Sequence, residues 1–163
     1  VANLGSFEFG EFEQFRDNLK ALARAWPGFM KDCVVVLANN LLAKIVPLTP
    51  SNQGELRRGW TIGEVTLTST GAEIEVFNHV EYSFYIENGF ASHWVPGKWE
   101  GNTFYYIPNY EPEEGEPGGM QVGPKDGWVE GKFMLQTSTD TLERELPDIM
   151  ERKMKRLLER YLG

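Results

Sequence analysis

The stretch Thr49-Pro50-Ser51-Asn52-Gln53-Gly54-Glu55-Leu56-Arg57-Arg58-Gly59-Trp60 marks the point where the period of the chain changes. Upstream of it, Phe12, Phe15, Leu19, Leu22 and Trp26 recur at three- and four-residue spacing, and Cys33, Leu37, Leu41 and Ile45 do the same. Such spacing gathers apolar side chains on one face of an α-helix. Downstream, Trp60 to Thr68 and Ala72 to Phe77 are rich in β-branched residues. There Ala72, Ile74 and Val76 alternate with Glu73 and Glu75, the period of a strand with one buried face and one wet face. Helices before the change and strands after it read as an α+β fold.

Toward the N-terminus, the first helix runs from about Gly10 to Trp26, with Glu11 and Glu13 placed to complement its dipole. Pro27-Gly28 is expected to break it. A second helix then runs from about Phe29 to Val46 and ends before Pro47, because a proline disfavours helical geometry in the residue preceding it. So short a link implies a packed helical pair.

Toward the C-terminus, Ser69-Thr70-Gly71 reads as the turn of a hairpin. The segment Asn78 to Gly89 is open to two readings. As a strand it puts Tyr82, Phe84 and Ile86 on one face; as a short helix it groups Tyr82, Tyr85 and Ile86. Asn78 with Glu81 three residues on has the form of a capping box, which favours the helical turn. Gly54 reads as a turn and Gly89 as a helix stop.

From Phe90 to Gly127 the chain is irregular, with Pro96, Pro108, Pro112, Pro117 and Pro124. Trp94 to Trp99 and Thr103 to Ile107 are candidate strands of a long hairpin, and acidic Glu111 to Gly119 reads as a mobile loop. A terminal helical region begins near Phe133, with a break expected near Leu146 before Pro147 and a last helix from Asp148 to Tyr161. The expected architecture is a single domain over 1–163. Its N-terminal helical pair and C-terminal helices pack on one face of a small antiparallel sheet, and a long Pro/Gly-rich acidic loop is inserted at about 91–127.

Composition narrows the function. The chain has 163 residues and a formal net charge of −8. An acidic protein is a poor candidate for tight nucleic-acid binding, which needs clustered cations. Arg152, Lys153, Lys155, Arg156 and Arg160 do concentrate near the end, but Glu151 and Glu159 interleave with them. They read as a solvated helix face whose cations suit a helix C-terminus. No apolar run approaches the roughly 20 residues of a membrane span. The one cysteine, Cys33, lies among valines and reads as an inert core thiol of a protein made in a reducing cytoplasm.

No catalytic set is expected. His79 and His93 lie in no nucleophile motif, and Gly115, Gly118 and Gly119 sit among acids that would repel phosphate. His79, Glu81 and His93 form the best available metal trio, set against the simpler reading of a helix-start histidine and a loop histidine. No metal or cofactor is expected. Trp94, Trp99, Tyr105, Tyr106, Tyr110 and Trp128 crowd the irregular region. They suit a protein interface, where such rings are enriched. The alternative is a carbohydrate- or other ligand-binding module using the aromatic loop over 94–128.

The ordered motifs resemble those of a tailed-phage family of head–tail joining, or tail-completion, neck proteins. A helical region leads into Thr49-Pro50, then Gly54, Leu56 and Arg57, then a hairpin. Tyr82-Ser83-Phe84-Tyr85-Ile86-Glu87-Asn88-Gly89 follows, and Gly131-Lys132-Phe133-Met134 precedes a terminal helix. The chain departs from the family pattern at Gly59 and Ser83, where serine and alanine are usual, and in its longer loop.

The resemblance implies a non-enzymatic virion protein, assembled in the bacterial cytoplasm and placed in the neck or tail. Its partners would be copies of itself in a ring, commonly sixfold, together with the head connector and the tail terminator or tail-tube proteins. DNA would be only passing cargo, and no membrane is involved. Thr49, Pro50, Gly54, Leu56, Arg57, Tyr82, Tyr85, Glu87 and Gly89 become the motif candidates. Glu87 is expected to bond a neighbouring backbone group or an arginine such as Arg57. Trp94, Trp99, Tyr105, Tyr106 and Tyr110 become the loop interface candidates.

Overall fold

The computed structural model describes residues 10–51, 54–125 and 127–163. In chain order the elements are α1 (Gly10–Leu48), α2 (Glu55–Arg58), β1 (Trp60–Ile62), β2 (Thr66–Leu67), β3 (Ala72–Glu73), β4 (Val76–Asn78), α3 (Ser83–Asn88), β5 (Gly89–Ala91), β6 (His93–Glu100), β7 (Thr103–Tyr106), β8 (Gly119–Val122), β9 (Trp128–Glu130) and α4 (Met134–Leu162). The fold is α+β, with helices at both ends and small antiparallel sheets between them. Two compact units emerge. One takes in the chain up to His79 and again from Leu135 to Gly163; the other is Val80–Met134.

In the first unit the expected helical pair is a single helix. α1 passes through Pro27 without a break and also takes in Pro47. The reason lies in phase. The apolar positions 12, 15, 19, 22, 26, 29, 33, 37, 41 and 45 keep three- and four-residue spacing straight across Pro27-Gly28. A continuous helix therefore keeps one face apolar, and extending a formed helix is far easier than nucleating a second one. Phe29, Cys33, Ala38 and Ile45 are the residues it buries, Ile45 completely. A side chain of that size contributes about 1.5–3 kcal/mol when fully buried. α4 likewise runs through Pro147, where a break was expected. Lys44 on α1 and Glu145 on α4 form an ion pair at 2.8 Å just before that proline.

The hairpin forms in two pieces. β2 and β3 pair at its tip, where Thr68 N–H donates to Gly71 O at 2.9 Å, and β1 and β4 pair at its base. Ala72, Ile74 and Val76 are half-buried while Glu73, Glu75 and Phe77 are exposed, the alternation their spacing predicts. They border an apolar hollow with Val34, Leu37, Ala38 and Leu41 of α1.

In the second unit, the ambiguous segment contains a short helix, α3. β6 is the central strand of a three-stranded antiparallel sheet in the order β7-β6-β8, and β5 pairs with β9. The β6–β7 hairpin is the one expected from Trp94 to Trp99 and Thr103 to Ile107. The single sheet of the sequence reading is divided into four small ones, because glycine- and proline-rich connections interrupt the ladders.

Candidate functional site

Thr49 is the centre of the first motif, and it is only 1% exposed. Its hydroxyl donates to Ile45 O at 2.9 Å and accepts from Trp60 Nε1–H at 2.8 Å. Its carbonyl accepts from both Nε and an outer nitrogen of Arg57, at 3.3 and 2.8 Å. Leu56 is buried as well, and its carbonyl accepts from the Asn78 side-chain amide at 2.7 Å. Gly54 adopts φ 76°, the left-handed geometry that glycine takes most readily, just before α2. Thr49, Arg57 and Trp60 are therefore joined in one internal latch, with Leu56 tied to Asn78 and the Gly54 carbonyl to the Arg58 amide. It ties the end of α1 to the base of the hairpin and satisfies buried donors and acceptors. Pro50, half-buried, leads out of it.

The second motif builds a different junction. α3 ends at Gly89, whose φ is 79° and whose missing side chain leaves room for Val129 O and the Gly131 amide. Ile86 O and Glu87 O accept the amides of Lys132 and Phe133 at 2.8 and 3.1 Å. Glu87 thus takes part through its backbone carbonyl, and the Arg57 guanidinium is directed to Thr49. Tyr82 and Tyr85 face outward and border, with Ile86, Phe90, His93 and Val122, an apolar pocket of about 460 Å³. Tyr85 and Phe90 meet edge to face at 6.2 Å.

The loop candidates do not converge. Side chains alternate along a strand, and paired residues share a face. Trp94 therefore shares one face of the β7-β6-β8 sheet with Tyr105, which lies opposite Lys98. Trp99 and Tyr106 share the other, the latter opposite Gly97. All four rings are at least 40% exposed, so they form two separate patches rather than one platform for a sugar. Tyr110 plays another part. Its hydroxyl donates to Glu116 Oε2 at 2.5 Å, and Glu116 N–H donates to Glu113 O at 3.0 Å. The hydrogen bond to Glu116 pushes the Tyr110 phenol up to about 12 and draws the Glu116 carboxyl below its usual range. The acidic stretch expected as a mobile loop is folded into a cross-linked turn.

Among the described residues no three His, Cys, Asp or Glu side chains are placed to hold a metal ion. Burial pushes the Cys33 thiol up, away from the reactive thiolate.

The sequence reading missed a trough between α1 and α4. Lys153, Arg156 and Arg160 border one hollow of about 390 Å³ with Phe29 and Asp32. Arg152, Lys153 and Arg156 border the next with Asn40 and Asp148. The signal was present in the spacing: positions 152, 156 and 160 share one face of a helix.

Residues 13–89 match the model of the HK97-gp10-like family, described as "Bacteriophage HK97-gp10, putative tail-component". No curated protein and no solved structure gives a significant match. The matched span takes in most of α1, the whole Thr49 latch, the hairpin and α3 up to Gly89. Over this segment the chain is similar to the HK97-gp10-like family of putative bacteriophage tail components.

Proposed function

We propose that the protein is a structural subunit of the head–tail neck. It is a tail-completion or head–tail joining protein that assembles as a ring between the connector and the tail. The observation that carries this reading is the family match over residues 13–89, which spans the Thr49 latch and the Tyr82–Gly89 motif. Exposed apolar features support it. Phe12 and Phe15 on the first turns of α1 are 73% and 51% exposed, and the Tyr82–Tyr85 pocket opens outward. Contiguous exposed apolar surface marks contact sites, and a cyclic ring needs two unlike patches on each subunit.

In this reading the segment 91–127 is an insertion into a single domain. The ring is sixfold, its neighbours are the connector and the tail terminator or tail-tube proteins, and DNA only passes through. A net charge of −8 suits such a wall, which would not hold the duplex by counterion release. The role is structural rather than catalytic. The protein assembles in the host cytoplasm and resides in the virion. Among the described residues no helix is long and apolar enough to cross a membrane.

The test is an affinity pull-down of the tagged protein from cells producing the particle, with partners identified by mass spectrometry. Recovery of connector or tail-tube proteins supports the neck role. Recovery of neither, together with the absence of the protein from purified particles, overturns it.

A further inference from the structure

The chain carries two opposed charge blocks, one on each compact unit. Val80–Met134 holds nine acidic residues against three basic ones. Four of those acids, Glu111, Glu113, Glu114 and Glu116, fall within six positions that contain no lysine or arginine. Glu111, Glu113 and Glu114 are exposed. The Tyr110–Glu116 and Glu116–Glu113 hydrogen bonds already hold the segment in a turn, so presenting these acids to a partner costs little further ordering.

The other block is the trough between α1 and α4. Lys153 and Arg156 border both of its hollows, flanked by Arg152 and Arg160. Among the described residues neither Lys153 nor Arg156 forms an ion pair. Gly28 keeps the floor of the first hollow open, with no atom within 4 Å of where a Cβ would stand.

We infer that the Glu111–Glu116 turn of one copy docks in the Lys153–Arg156 trough of the next copy, forming the head-to-tail contact of the ring. The inference rests on the ring reading above and names the contact within it. A head-to-tail contact joins two different patches of identical chains, and this chain supplies a complementary pair of them. Opposite potentials also fix register and suppress wrong pairings. The phosphate backbone of DNA suits the chain less well, because a net charge of −8 repels a polyanion at long range.

Charge reversal tests the contact. One variant carries Glu111→Lys, Glu113→Lys and Glu114→Lys; the other carries Arg152→Glu and Arg156→Glu. All five positions are exposed, and circular dichroism checks that both variants fold. Self-association is followed by sedimentation velocity at low and high salt. The wild-type chain associates, and salt weakens the association. Each variant alone associates roughly 10- to 100-fold more weakly. An equimolar mixture of the two recovers association, because every turn then meets an oppositely charged trough; an intrachain contact gives no such recovery.

Wild-type oligomers that neither variant weakens overturn the contact and leave the ring reading standing. Wild-type chains that stay monomeric at every concentration overturn both. Binding of a duplex DNA probe that only the trough variant loses, with self-association unchanged, assigns the trough to phosphate and overturns the contact.

Discussion

Thr49 shows what a motif residue can mean. Its hydroxyl and carbonyl together receive Trp60 and Arg57, with Thr49 itself buried and its two partners half-buried. Thr49→Val keeps the shape and removes the acceptor, leaving the Trp60 N–H unpaired. The expected cost is about 1–3 kcal/mol, read as a lower urea midpoint with unchanged slope. Trp60→Phe in the Thr49→Val background should then cost less than Trp60→Phe alone. The sequence marked Thr49 and Arg57 as important, but not that they bond each other. That bond depends on how the chain between them turns.

Tyr110 and Glu116 make a pH-sensitive pair whose two limits follow from their shifts. Glu116 is drawn down from 4.5, so its contribution to the turn is present above that value and is lost as pH falls through the lowered one. Tyr110 is raised from 10.0 to about 12, so its contribution is complete below 10.0 and is lost as pH rises toward about 12. A phenolate absorbance titration should show one tyrosine ionising near 12. In Glu116→Gln that tyrosine should return toward its ordinary value.

At the scale of elements, type was more legible than extent. The hairpin around Ser69-Thr70-Gly71 and the β6–β7 pair follow from local patterns, since alternation and turn chemistry are local signals. The helix α3 forms, but not from the Asn78–Glu81 capping box: it starts after Tyr82, while Asn78 lies in β4 and its side-chain amide donates to Leu56 O. Helix continuity was not legible. Pro27 and Pro147 are strong local breakers, yet both lie inside long helices. Their effect is outweighed by the helix on either side and by an apolar face that continues across them. Gly28 is a second weak point in α1, and a side chain there would meet open space. Gly28→Ala should therefore stabilise the chain by about 0.5–1 kcal/mol, measured by thermal or urea unfolding. A loss of stability would mean that α1 gives way at Pro27-Gly28.

At the scale of the molecule, the sequence announced an α+β chain with helices at both ends, and the segment similar to the tail-component family takes in the motifs at 49–60 and 78–89. It did not announce the trough, because a groove between residues 25–40 and 145–161 exists only once two helices lie side by side. Nor did it separate the aromatic rings, because that follows from strand register. The same register decides what can be removed. β5 and β9 pair from Gly89 opposite Glu130 to Ala91 opposite Trp128. Next to this pair, the Ser92 amide and hydroxyl both donate to Gly127 O, at 2.9 and 2.7 Å. Replacing residues 93–126 by a short glycine-rich turn should leave a chain that unfolds cooperatively with its helical circular dichroism retained, since closing a shorter loop costs less entropy.

The Ser92–Gly127 clasp thus behaves like the neck of a drawstring bag. The two ends of the intervening segment meet at one fixed place, so its contents can lengthen, shorten or change chemistry while the seam stays as it is. A lineage could exchange one acidic, aromatic cassette for another and so change what the chain binds, without redesigning the helices that the rest of the chain encodes.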